Sequence, residues 1–192
     1  MSIDKIENND NGDNSDKSTY FVGYLFYKDS KIYKSICKLQ LTLKKDFVPR
    51  DYPHVTLAYI GNDINKFDTL NKDILLIEQL NMFKNEQCKF RKLDFYGKTL
   101  VYVFDFLNTK CNNSMLELMN NSNPDELGSH GDNRLHIAIG KFATNKAKQL
   151  FCKNLMYNVT QQIKESYLFT FSFDCFHLVT VNAAKQYTAD VL

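Results

Sequence analysis

The sequence predicts an α+β domain, and three observations carry that prediction. Strand-like and helix-like stretches run in the order β-α-β-α-β-β-α-β-α-β-β, and mixed order with adjacent hairpins disfavours a doubly wound parallel sheet. The two halves resemble each other loosely, because each sets a histidine-led strand between helices, first at 54–61 and again at 134–142. With 192 residues, 44% hydrophobic and 24% charged, the chain suits one soluble domain that needs no disulfide or metal staple.

Residues 1–18 are acidic, rich in Asn and almost free of bulky apolar groups. They cannot bury enough surface to offset ordering entropy, so they are expected to form a disordered tail before a single domain at 19–192. Thr19 to Tyr27 reads as a strand with aromatics on both faces, hence a central one. Asp29-Ser30 caps a helix whose apolar face is Ile32, Ile36, Leu39 and Leu43 and which ends before Pro49. Val55 to Ile60, held between Pro53 and Gly61, is a run of β-branched, aromatic and aliphatic residues and so a buried strand. Strict alternation puts His54, Thr56 and Ala58 on one of its faces and Val55, Leu57 and Tyr59 on the other.

Phe67, Leu70, Ile74, Ile77 and Leu80 mark a second amphipathic helix. Strands around 88–95 and 99–107 follow, joined by a hairpin turn at Tyr96-Gly97-Lys98. A short helix near 114–120 leads into a polar loop, 121–133. The second histidine strand comes next, and Thr144 then caps a helix with Ala147, Leu150, Phe151, Leu155 and Val159 facing inward. Tyr167–Phe173 and Cys175–Val181 read as a final hairpin.

A net charge of +2 does not advertise a protein that coats a nucleic-acid duplex. Cys37, Cys88, Cys111, Cys152 and Cys175 are scattered and never form C-x-x-C, which suits reduced thiols in a cytoplasmic compartment and gives no zinc signature. There is no signal-peptide pattern and no stretch able to span a bilayer, so a membrane is not an expected partner.

The histidine strands carry the chemistry. An imidazole and a hydroxyl two positions apart on one strand face, as His54 and Thr56 are, can hold a phosphate and move a proton on it. About eighty residues later, Arg134-Leu135-His136-Ile137-Ala138-Ile139-Gly140 repeats the start and the polarity pattern. The other histidines are plainer: His130 lies in a Gly-containing loop and reads as solvated, and His177, followed by Leu178-Val179, reads as structural. Tyr20, Tyr24, Phe26 and Tyr27 are core residues first and base-stacking candidates second. Lys44, Lys45 and Arg50 form a small basic run near the first motif, by default a solvated helix end. Tyr24, Tyr59, Ser129 and Lys141 are the further candidates for substrate contact.

Two H-x-T-type strands so spaced resemble the 2H phosphoesterase superfamily. Thr19-Tyr20-Phe21-Val22-Gly23-Tyr24, Lys28-Asp29-Ser30 opening a helix, and Asn133 to Gly140 before a helix look most like the branch of 2′,3′-cyclic-nucleotide 3′-phosphodiesterases and tRNA-ligase cyclic phosphodiesterases. The resemblance covers 19–182. It implies a bilobal fold, in which two antiparallel-rich sheets form a central cleft with helices outside. It implies a metal-independent phosphodiesterase without cofactor, acting on a nucleotide or short oligonucleotide whose phosphate engages a ribose 2′-oxygen. His136 would be the base towards water or a 2′-hydroxyl, His54 the acid to the leaving oxygen, and Thr56 a phosphate ligand. Where the family has a second Thr or Ser, this chain has Ala138. One lost hydrogen bond to a charged phosphate costs roughly 1.5–3 kcal/mol unless Ser129, Lys141 or a water replaces it.

Within that reading the first-choice substrates are 2′,3′-cyclic phosphate ends of nucleotides or RNA. The alternative is a defence signal, 2′,3′-cyclic GMP-AMP or 2′-5′ oligoadenylate, which compact stand-alone relatives, some of them viral, degrade in immune evasion. A reading from another class is a nucleotide- or RNA-binding module that kept the cleft and lost turnover, and Ala138 motivates it. No protein partner is evident and a monomer is expected. The C-terminal Ala189-Asp190-Val191-Leu192 lacks the prenylation signal of the mammalian myelin relative.

Overall fold

The computed structural model describes residues 18–43, 46–62, 74–122, 135–182 and 186–192, together with 65, 68 and 184. Residues 1–17 of the expected tail, Lys44, Lys45, Phe67, Leu70, positions 123–133 of the expected 121–133 loop with Ser129 and His130, and Arg134 therefore lie outside the described residues.

The first half opens with β1 (Thr19–Leu25), which is buried continuously from Phe21 to Tyr24. α1 (Lys31–Thr42) starts where Ser30 Oγ accepts the Tyr33 amide, and it buries Ile36 and Leu39. A short strand that the sequence did not announce, β2 (Phe47–Pro49), precedes β3 (His54–Gly61). α2 (Ile74–Asn81) completes this half.

In the second half, β4 (Gln87–Tyr96) and β5 (Thr99–Phe106) form the expected hairpin, with Gly97 supplying the positive φ of 59° at its turn. α3 (Thr109–Ser122) begins earlier than the sequence pattern suggests. β6 (His136–Phe142) follows, and then α4 (Asn145–Asn154), capped by Thr144 as expected. The helix expected to continue through Val159 breaks at Leu155, and α5 (Met156–Lys164) buries Val159 and Ile163 instead. Leu150 and Leu155 do not face inward: they are 49% and 44% exposed, because the break turns their stripe away from the sheet.

Among the described residues all strand pairings are antiparallel. One sheet has the order β3-β1-β8-β9 and the other β2-β6-β5-β4-β7. The expected C-terminal hairpin is not formed. β7 (Thr170–Ser172) pairs with β4 in the second sheet, whereas β8 (His177–Val181) pairs with β1 in the first and with β9 (Tyr187–Val191). The link 173–176 crosses between the sheets, anchored by the fully buried Phe173 and Phe176. Aromatic strands joined by so short a link look like a hairpin in sequence, yet burial of those two rings, about 1.5–3 kcal/mol each, favours the crossing.

A continuous core holds the sheets together, with Val22, Ile36, Val55, Leu80, Phe104, Ile137 and Phe173 among its members. Phe21, Val179, Val101 and Val103 are also buried, but stand apart from that core. By register they lie on the opposite faces of the two sheets, the faces that carry the histidines. The fold is thus the bilobal α+β arrangement expected, with helices outside and a cleft where β3 and β6 meet.

Candidate active site

β3 and β6 share one irregularity, and it builds the site. In β3, Val22 opposes Ala58 while Gly23 opposes Thr56, so Leu57 is an extra residue. In β6, Leu100 opposes Gly140 while Val101 opposes Ala138, so Ile139 is extra. Each bulge falls three residues after the histidine. An extra residue restarts the alternation, so that two successive side chains turn to the core and the next turns back to the cleft. The burial pattern records this: Leu57-Ala58 and Ile139-Gly140 are buried pairs, while Tyr59 and Lys141 return to the open side.

This corrects the strict alternation expected from sequence. Ala58 is a core residue at 5% exposure, and Tyr59 joins His54 and Thr56 on the cleft face. Lys141 likewise joins His136 and Ala138. Two glycines permit the irregularity. A Cβ on Gly23 would sit 2.0 Å from the Val55 carbonyl oxygen, and one on Gly140 would sit 2.4 Å from that of Val48.

His54 is held by its neighbours. Its Nδ1 lies 2.8 Å from the Tyr52 carbonyl oxygen. A carbonyl only accepts, so Nδ1 carries the proton and the lone pair of the neutral ring is on Nε2. Phe21 packs against the ring at 4.9 Å. Burial lowers its pKa to about 4; the Tyr52 bond works the other way, and the charges of Arg50 and His136 lower it further. His54 is therefore neutral near pH 7 and competent to accept a proton. His136 is among the groups that lower its pKa, and β3 and β6 are in contact. Tyr96 meets the His136 ring edge-on at 4.8 Å, so each imidazole has an aromatic support.

Beside Ala138 lies a recess of about 460 Å³ lined by Arg50, Tyr52, Thr99, Ala138, Lys141 and Tyr187, among others. Tyr187 arrives from far away. In a flat sheet it would lie roughly 25 Å from His54, three strands across and about six residues along. The two rings are 5.6 Å apart, so the first sheet is curled into a half-barrel. Tyr187 stacks on Tyr52 at 4.9 Å, and Arg50 donates from Nη2 to its hydroxyl at 3.1 Å. Sequence reasoning missed Tyr52, Thr99 and Tyr187, because nothing local distinguishes them from surface residues.

Tyr24, expected as a substrate contact, is instead 5% exposed on the core face of β1, where its hydroxyl donates to Asp174 Oδ1 at 2.8 Å. An odd-numbered offset from Phe21 along β1 puts it there. His177 is 2% exposed; its Nδ1 accepts the Leu25 amide at 3.3 Å and its Nε2 lies 3.1 Å from the Tyr27 hydroxyl, which suits the structural role read from sequence. Among the described residues no three His, Cys, Asp or Glu side chains converge as a metal-binding group, and no helix is long and apolar enough to cross a membrane.

No family model and no curated protein matches this chain. Among solved structures, TT0787 of Thermus thermophilus is similar with a TM-score of 0.53 at 10% identity, covering 89% of this chain and 94% of that one. The PDE domain of MHV ns2 is similar with a TM-score of 0.45 at 16% identity, covering 67% of this chain and 86% of that one. At these identities the likeness is one of fold.

Proposed function

We propose that this protein is a phosphodiesterase of the 2H type, acting on nucleotides whose phosphate engages a ribose 2′-oxygen. The observation that carries the reading is the shared bulge, which puts a histidine, the residue two places on and the residue five places on upon one face of β3 and likewise upon one face of β6. Similarity to the ns2 domain, which is named a PDE domain, points the same way without adding an argument of its own.

The electrostatics favour an order of proton transfer opposite to the one the resemblance implies. His54, neutral and oriented through Nδ1, takes the proton from water or a vicinal hydroxyl as that oxygen bonds to phosphorus. His136 gives a proton to the departing ribose oxygen as the P–O bond breaks. Thr56 donates to a non-bridging oxygen from the first strand. On the second strand Lys141, re-aimed by the bulge, supplies positive charge where Ala138 offers no hydroxyl. When the bond broken is that to the 3′-oxygen, a cyclic 2′,3′-phosphate opened in this way ends as a 2′-phosphate with a free 3′-hydroxyl.

The test is incubation with 2′,3′-cyclic AMP, 2′,3′-cyclic GMP-AMP and 2′-5′-linked diadenylate in EDTA, using the wild type and the His54→Ala and His136→Ala variants. Product from the wild type alone supports the reading. Product at equal rate from either variant overturns the mechanism, and no product from any protein leaves the binding-module reading in its place.

A further inference from the structure

We infer that Lys148 and Tyr96 are positioning residues for His136: Lys148 fixes the tip of the β4–β5 hairpin, and the tip fixes Tyr96 against the imidazole. The inference rests on the phosphodiesterase reading for what His136 does, and on contacts alone for how its ring is held. Proton transfer needs an imidazole nitrogen within hydrogen-bond reach of the reacting oxygen. The last torsion of a histidine is broad, so the side chain does not choose its own ring plane. A neighbour has to choose it, and Tyr96 meets the His136 ring at 4.8 Å with 84° between the planes. An edge-to-face pair at this distance is a preferred aromatic geometry and resists rotation of either ring.

The contact depends on where the hairpin tip stands. Asp94 opposes Val101, a residue of the histidine face, and Tyr96 two places on shares that face. In register, however, Tyr96 lies level with Thr99 and Lys141, whereas His136 lies level with Val103. The two rings therefore meet diagonally over the sheet, and the tyrosine has to come from a tip that stays in place.

One lysine holds that tip on both sides of Tyr96. Lys148 Nζ, on α4, donates to the Gly97 carbonyl oxygen at 2.8 Å and lies 4.6 Å from the Phe95 ring centroid. A hydrogen bond and a cation–π contact thus secure the residues immediately after and before the tyrosine. Phe95 also packs against Phe142 and Phe151, and Lys98 Nζ donates to the Ala143 carbonyl oxygen at 3.1 Å. An imidazole of the cleft is thereby tied to a helix outside it.

The experiment measures kcat and KM for 2′,3′-cyclic AMP, and the ring proton resonances of His136 by NMR. The proteins are the wild type, Tyr96→Phe, Tyr96→Leu, Lys148→Arg, Lys148→Met and Lys153→Met, the last in the final turn of the same helix. Tyr96→Leu and Lys148→Met should lower kcat roughly ten- to a hundredfold, as misplacement of a reacting group does, and leave KM within about threefold. Tyr96→Phe keeps the ring, and Lys148→Arg keeps a donor and a charge over Phe95, so both should retain most of the rate. Lys148→Met should displace the His136 resonances, as Tyr96→Leu does by removing the ring current, and Lys153→Met should not. An unchanged kcat in Tyr96→Leu, or a loss in Tyr96→Phe as large as in Tyr96→Leu, overturns the role of the ring. Equal losses in Lys148→Met and Lys153→Met overturn the role of the lysine. If the wild type does not turn over the cyclic nucleotide, the phosphodiesterase reading fails and the resonances decide alone. Displacement in Lys148→Met then upholds the positioning, and unmoved resonances there overturn it.

Discussion

The side-chain amide of Gln40 donates to the carbonyl oxygen of Ile139 at 2.8 Å, joining the first helix to the bulge of the second histidine strand. The same nitrogen donates to the Arg50 carbonyl at 2.9 Å, and the Arg50 amide itself reaches Ile139 at 2.9 Å. One carboxamide thus ties the segment that leads into His54 to the irregularity that aims Lys141. Gln40→Leu should cost about 1–2 kcal/mol of stability, read from the urea midpoint. It should also lower kcat by more than Gln79→Leu, a substitution on α2 outside the tie. Equal kcat effects would show the tie to be structural only.

Gly140 opposes Pro49 in the β2–β6 pairing, and a methyl group there meets both the Val48 carbonyl and the Phe47 ring. Gly140→Ala should therefore destabilise by about 1–3 kcal/mol or more, as overpacking does, because the Val48 carbonyl and the Phe47 ring must both move. Gly97→Ala, with nothing within 4 Å, meets only the strain of its positive φ and should cost about 1 kcal/mol. Thermal denaturation of the pair gives the ranking.

The histidine electrostatics give a pH signature. His54 has its pKa lowered by burial from 6.5 to about 4 in the folded protein. Above 6.5 both folded and unfolded forms hold it neutral, and the protein keeps its full stability. Between 6.5 and about 4 only the unfolded chain takes up the proton, so stability falls with pH, by at most about 3 kcal/mol from this group. Urea titrations at several pH values should show a shallower acid decline in His54→Gln than in the wild type. The acid limb of kcat/KM should lie well below 6.5 if His54 is the base of the free enzyme, and near or above 6.5 if it is not.

Lys141 and Ala138 should be coupled. Lys141→Met should lower kcat/KM for 2′,3′-cyclic AMP by roughly tenfold or more, the scale of a lost charged hydrogen bond. Ala138→Thr should raise that rate or leave it alone, and should rescue Lys141→Met in part by restoring a donor on the same face. A double-mutant cycle with no interaction energy would mean that the two positions do not serve one phosphate.

His54→Ala and His136→Ala should each abolish most of the rate, with the double variant little worse than either single one, because an acid and a base that act in one step are not additive. Additive losses would mean separate roles.

Much was legible in the order of the residues. The period of two around His54 and His136, the capping pattern at Ser30 and Thr144, and the Gly97 turn are local signals, and local backbone physics suffices to realise them. The sequence alone therefore determined the α+β class, the two histidine strands and the residues that lead them. Tertiary structure decided the rest, for reasons no local pattern carries. A bulge depends on what the partner strand does, so only pairing with β1 and β5 turns Tyr59 and Lys141 into the cleft and Ala58 out of it. Whether β7 and β8 form a hairpin depends on which sheet can bury Phe173 and Phe176, a competition between distant surfaces. Tyr187 reaches His54 only because the sheet between them curls, and that curl is the sum of twists over four strands.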